Sequence, residues 1–188
     1  YCRATMTSLG VNGRSGFAFD FADPFVLQHD GTYYAFATNA GAGAVQLISS
    51  ADLIDWTLIG EALGAVPAWA ELGQTWAPSV AKVGDRWVLY YTVRERRSGL
   101  QCISSATATA PTGPFVDDSS GPLVCQQDLG GSIDPSPYVD DKGVVFLLWK
   151  SDEIVRGRSA RIWVAPLDDT GRKLGWFPIE LGRADRGW

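Results

Sequence analysis

Two aspartates, Asp23 and Asp134, each stand directly before a proline, and Ala77-Pro78 repeats the same step between them without a carboxylate. The prolines, Pro24, Pro78 and Pro135, are spaced 54 and 57 residues apart. Each opens a similar passage: a short apolar run, a turn carrying Gly31, Gly84 or Gly143, and then a strongly apolar run. Taken singly, aspartate before proline is ordinary turn chemistry. Two of them at equivalent places of a repeat carry more weight, because the Ala77 copy shows that the repeat does not need one to fold. Paired carboxyls suit proton transfer about a bond being broken. One protonates the leaving oxygen and the other takes a proton from water, and at ~6.5–9.5 Å apart such a pair serves the inverting hydrolysis of a glycosidic bond.

The elements that would position this pair follow from the repeat. A period near fifty with strand patterning marks β-propeller blades, so the chain is expected to be all-β. The expected units cover roughly residues 17–60, 75–125 and 132–181 of a single, partial propeller domain spanning 1–188. In each, a short first strand follows the Asp-Pro or Ala-Pro step, where proline is tolerated because the strand is only starting. The second strands, Thr32–Thr38, Trp87–Val93 and Val144–Lys150, barely alternate, as befits strands covered on both faces. Third strands are expected at Ala44–Ser50, Gln101–Ala106 and Arg161–Ala165, and a weak outer strand closes each unit. No long amphipathic helix is visible. In a meander the first strand begins at the edge that carries the loop between strands two and three. Asp23 and Asp134 therefore share a face with Asn39–Gly43, Arg94–Gly99 and Ser151–Ser159. Closed propellers have four to eight blades, so three imply further chain, a second polypeptide or an oligomer partner.

Composition narrows the partners. A net charge of −5 with no basic run argues against nucleic acid, and no apolar stretch approaches the ~18–20 residues that span a bilayer. The chain starts at Tyr1, which fits a removed signal peptide or an excised piece. Cys102 and Cys125 lie 23 apart about one turn and are expected to pair, leaving Cys2 alone. Buried free thiols are the alternative. The sole histidine, His29, sits in a turn and lacks the companions a metal site needs. Asp140-Asp141 and Asp168-Asp169 read as turn residues.

A set of stretches then resembles glycoside hydrolase family 43. They are Phe21-Ala22-Asp23-Pro24, Gly31-Thr32-Tyr33-Tyr34, Ser50-Ala51-Asp52-Leu53-Ile54-Asp55-Trp56, Pro67-Ala68-Trp69-Ala70, Trp76-Ala77-Pro78-Ser79-Val80, Pro111-Thr112-Gly113-Pro114-Phe115 and Ser132-Ile133-Asp134-Pro135-Ser136. The resemblance implies a five-bladed propeller acting on arabinose- and xylose-containing polysaccharides outside the cell. It implies Asp23 as general base and Asp134 as the aspartate that tunes and orients the acid. Trp76, Trp69, Phe21 and Ser132 become candidate substrate contacts, with Trp76 read either as a sugar platform or as core packing. No cofactor is required, and a central-channel calcium is known in some relatives without support in these residues. One departure stands out. The family's general acid is a glutamate in a Glu-Gly-Pro context opening the fourth blade, whereas Gly113-Pro114 and Gly121-Pro122 have no glutamate before them. Glu95 and Glu153, in the second-to-third-strand loops, are weak substitutes. A non-catalytic carbohydrate-binding propeller is the alternative reading. An invertase-like enzyme would carry Asn-Gly after its Asp-Pro, where this chain has Phe25-Val26.

Overall fold

The computed structural model describes residues 20–40 and 43–184. Cys2, the start of the expected 17–60 unit and the middle of the 39–43 loop lie outside them. Among the described residues there are three antiparallel sheets and no α-helix. The first is a four-stranded meander of β1 (Phe25–His29), β2 (Thr32–Ala37), β3 (Gln46–Ser50) and β4 (Thr57–Glu61). Its first hairpin turns on Asp30 and Gly31, whose φ values of 47° and 75° give the paired left-handed turn that suits the strand twist. The second sheet holds β5 (Ala70–Val83), β6 (Arg86–Glu95) and β7 (Gln101–Ala108). The third holds β8 (Ser132–Val139), β9 (Val145–Ser151), β10 (Arg161–Pro166) and β11 (Ile179–Arg183).

The middle sheet is packed on both faces. Alternate residues of β6 supply two separate cores: Leu89, Tyr91 and Val93 meet Phe36, Leu47 and Phe115 on one side. Val88 and Tyr90 meet Leu147 and Trp149 on the other. This is why β6 shows no in-and-out alternation in sequence. The expectation fails for β9, which does alternate in burial: Val145, Leu147 and Trp149 point inward, while Phe146 and Leu148 are only half-buried. Its far side continues through the exposed Tyr138, Ile162 and Ile179. The third sheet thus has one packed face and one apolar face open to solvent among the described residues.

The outer strand expected in the middle unit is also corrected. It shrinks to two isolated bridges to β7, Thr107 with Val116 and Ile103 with Val124. The reason lies one residue before Val116. Phe115 is buried, its N–H donates to Ala62 O at 2.8 Å, and its carbonyl accepts from Gly64 N at 3.1 Å. The ring meets Phe36 edge-on with centroids 6.5 Å apart. Burying this ring in the first core diverts the chain away from β7. The second sheet also begins earlier than expected, at Ala70, with an irregular register up to Thr75.

β5 contacts both β1 and β8, so the first strands of the three sheets lie side by side. Ser79 Oγ donates to the carbonyl of Pro135, tying β5 to β8 at the proline step. A disulfide joins Cys102 of β7 to Cys125, fastening the connection toward β8.

Candidate active site

The three residues before the repeated prolines share one backbone conformation. Asp23, Ala77 and Asp134 have φ values of 51°, 42° and 57°. A residue before proline is normally pushed to extended backbone, and a left-handed L-residue costs about 1–2 kcal/mol. In the second and third sheets the residue sits inside a register break, between Trp76 and Ser79 and between Ile133 and Ser136. Such a break lifts the side chain out of the ladder and re-aims it. The geometry therefore belongs to the repeat, and the carboxylates are fitted onto it. Ala77 adopts the same conformation without a polar side chain to ease it.

What holds these turns is one position on the second strand of each sheet. Thr92 lies opposite Trp76, Lys150 lies opposite Ile133, and Thr38 donates its N–H to Ala22 O at 3.1 Å. Each is thus level with the residue just before Ala77, Asp134 or Asp23. Thr38 Oγ1 donates to Asp23 Oδ2 at 2.8 Å and accepts the N–H of Ala77, in the next sheet, at 3.1 Å. Thr92 Oγ1, fully buried, accepts the N–H of Asp134 at 3.0 Å. Lys150 Nζ pairs with Asp134 Oδ2 at 3.0 Å. The hydroxyls thus link consecutive sheets, and each carboxylate is held by its own sheet's second strand. Both aspartates keep exposed side chains.

The remaining residues expected at the site divide. Trp76 is half-buried on β5 next to Ala77. Phe21 is half-buried two residues before Asp23 and has contacts of its own. Trp69 packs against the first core and donates its indole N–H to Ser119 Oγ at 3.0 Å. Ser132 is fully buried, with Oγ accepting from Gln126 N at 3.1 Å and lying 3.3 Å from Gln126 Oε1. The Gln126 carbonyl oxygen also accepts the Trp149 indole N–H at 2.9 Å. The structure therefore places Ser132 in the framework under the site, with its hydroxyl committed. Glu153 is buried at 1% exposure, receives the Ser151 hydroxyl at 2.9 Å and pairs with Arg161 at 3.0 Å. It is a buried structural group, committed to Ser151 and Arg161, and does not stand as a substitute acid. Glu95 takes the Ser98 hydroxyl. His29 lies edge-on to Trp87 at 5.1 Å.

Sequence reasoning missed Thr38, Thr92, Lys150 and Asp152. Asp152 follows β9 at the same corner. Burial pushes its carboxyl above the usual carboxylate range, the Lys150 ammonium pulls it back and the Asp134 anion adds to the rise. Thr38 and Thr92 emerge only when the second strands are aligned on their pairing with the proline step, because Thr38 follows the end of β2 and Thr92 lies inside β6.

Two concavities lie elsewhere. One of about 790 Å³ sits by the turn between β5 and β6, lined by Arg86, Ser105, Asp118 and Arg172. A second, about 610 Å³, lies between the 125–129 segment and Trp163. Asp23 and Asp134 stand on an open surface beside β5. Among the described residues, the three possible metal donors that cluster are Glu95, Cys102 and Cys125, and the disulfide takes up both sulfurs.

Comparison with known proteins bears on the family and the fold. The model of glycosyl hydrolases family 43 matches residues 17–179. An arabinoxylan arabinofuranohydrolase of Bacillus subtilis is 32% identical over 161 residues, covering 67% of this chain and 30% of that protein. A probable arabinan endo-1,5-alpha-L-arabinosidase A of Aspergillus flavus is 33% identical over 129 residues, covering 65% and 39%. Among solved structures, a thermostable family-43 glycoside hydrolase superposes with a TM-score of 0.78 at 26% identity, over 89% of this chain and 55% of that one. An endo-1,4-beta-xylanase from Bacteroides thetaiotaomicron gives 0.66 at 32%, over 82% and 49%. The chain thus spans about a third of these curated relatives and about half of these solved structures.

Proposed function

The chain belongs to glycosyl hydrolases family 43, and on that premise we propose that it serves hydrolysis of O-glycosyl bonds in arabinose- or xylose-containing plant cell-wall polysaccharides, by inversion, with Asp23 as general base. The observation that carries the reading is the repeated left-handed step. Three sheets build it, and two of them place a carboxylate on it. Asp23 is held by a neutral hydroxyl, which fixes one oxygen and leaves the other to take a proton from water. Asp134 is held by an ammonium, which suits a charge that orients and tunes a neighbour. The general acid would come from the part of the relatives' fold that this chain does not cover, since neither Gly-Pro step here follows a glutamate. The three sheets would then be three blades of a five-bladed domain. The Cys102–Cys125 bond favours an oxidising, extracellular setting, as a polymeric substrate also does.

The alternative reading is a propeller that binds carbohydrate without cleaving it. Asp23→Asn in the complete protein separates the two. The hydrolase reading expects turnover of arabino- and xylo-oligosaccharides to fall by ~10²–10⁴-fold, while calorimetric binding of the same sugars persists. Undiminished turnover in the variant removes Asp23 from its role. Binding by the unmodified protein without any cleavage establishes the second reading.

A further inference from the structure

The position shared by Thr38, Thr92 and Lys150 carries two separable tasks. One is to accept the N–H of the left-handed residue in the next sheet. The other is to hold the carboxylate of its own sheet. Thr38 does both, through Ala77 N at 3.1 Å and Asp23 Oδ2 at 2.8 Å. Thr92 does only the first, because its own sheet carries Ala77 and offers no carboxylate; it takes Asp134 N at 3.0 Å. Lys150 does the second, through Asp134 Oδ2 at 3.0 Å, and an ammonium has no lone pair with which to do the first.

We propose that Lys150 is a positioning residue for Asp134, fixing the direction of that carboxylate and offsetting its charge at the reaction centre; the inference rests on the hydrolase reading above. Folding does not explain the choice of lysine. Threonine at the same register serves the other two sheets, one of them with an aspartate to hold. The ion pair is also reachable from solvent, with side-chain exposures of 30% and 47%, so it adds little to stability. What lysine adds over threonine is a charge and a longer reach at the carboxylate that does not itself take the water proton. Asp152 also faces this ammonium.

The test uses Lys150→Thr, which installs the residue of the two sister sheets, in the complete protein. Lys150→Met keeps the apolar stem and Lys150→Arg keeps the charge. Activity of the unmodified protein is read first, on an arabino-oligosaccharide and on an aryl arabinofuranoside whose leaving group departs with little protonation. With Lys150 positioning Asp134, kcat of Lys150→Thr on the oligosaccharide falls about 10²-fold. KM moves less than about threefold, and the aryl substrate suffers less, since its departure makes less demand on the acid. Lys150→Met behaves alike, Lys150→Arg recovers most of the rate, and melting temperatures stay level. An active unmodified protein whose Lys150→Thr and Lys150→Met variants keep kcat overturns this inference and leaves the hydrolase reading standing. An inactive unmodified protein overturns both.

Discussion

Thr38→Val should separate the two duties of one hydroxyl. Valine keeps the shape and loses both bonds. The N–H of Ala77, half-buried, loses its acceptor at 3.1 Å, a loss of about 1 kcal/mol at the low end of the range for stranded donors. Asp23 loses a donor at 2.8 Å. A hydrogen bond to a charged group is worth ~1.5–3 kcal/mol when shielded, and solvent around the exposed Asp23 discounts it to about 1. The sum, about 2 kcal/mol, corresponds to a fall of about 4–8 °C in Tm for a domain of this size. Asp23→Ala is a tolerable second change, because Ala77 already occupies the equivalent backbone with φ of 42°. In that background Thr38→Val should cost only the Ala77 share, about 1 kcal/mol, leaving a coupling of about 1 kcal/mol between the two sites. Urea unfolding of the four proteins in the cycle measures this, with Thr38→Ser as the variant that retains the hydroxyl. Additivity within ~0.3–0.5 kcal/mol, or a Thr38→Val protein as stable as the original, would refute the reasoning.

Further outcomes follow from other parts of the fold. Replacing Cys102 and Cys125 by serine opens a crosslink between residues 23 apart and should lower unfolding free energy by about 3 kcal/mol; an unchanged urea midpoint would contradict this. Asp168 titrates in the acid range. Burial alone would raise its carboxyl, but bonds from the Thr170 hydroxyl and the N–H groups of Arg172 and Lys173 outweigh that and hold it below its ordinary 3.8. Its stabilising effect is therefore present above pH 3.8 and is lost as pH falls through the lower folded value. Asp168→Asn should be less stable than the original at neutral pH and should lose less on acidification, and superimposable acid limbs would sink the assignment.

Much of the fold was legible because apolar run length and turn glycines are local signals. The spacing of Pro24, Pro78 and Pro135 located all three sheets, and the second strands fell close to their observed bounds. What escaped was set by contacts between sheets. An outer strand is expected to close the middle unit, and only the contacts of Phe115 with Phe36 and Ala62 draw that segment inward. Val144–Lys150 reads as covered on both sides, yet among the described residues only one neighbouring sheet covers it. At the site, Asp23 and Asp134 stood out because a repeat with a blank copy exposes what is optional. Thr38 and Thr92 did not, since a threonine in or just past a strand is unremarkable until the hydroxyl is seen to reach the next sheet. Ser132 was singled out by its place in a matching stretch, which cannot distinguish a hydroxyl facing sugar from one bound to Gln126. Glu153 failed for a similar reason: its partner Arg161 is eight residues away and only the β9–β10 turn brings them together.

The left-handed step at Ala77 has a consequence for how such a protein can diversify. Its backbone already bears the unfavourable φ of 42° that its two sisters use to aim a carboxylate, and its N–H is already anchored by Thr38. One substitution to aspartate would thus arm a third sheet without redesigning a turn, and would ease the conformation besides, since aspartate tolerates it better than alanine. Repetition here separates inheritance of geometry from inheritance of chemistry. Each sheet receives the same mount, and reagents can be fitted or withdrawn one sheet at a time while the scaffold stays as it is.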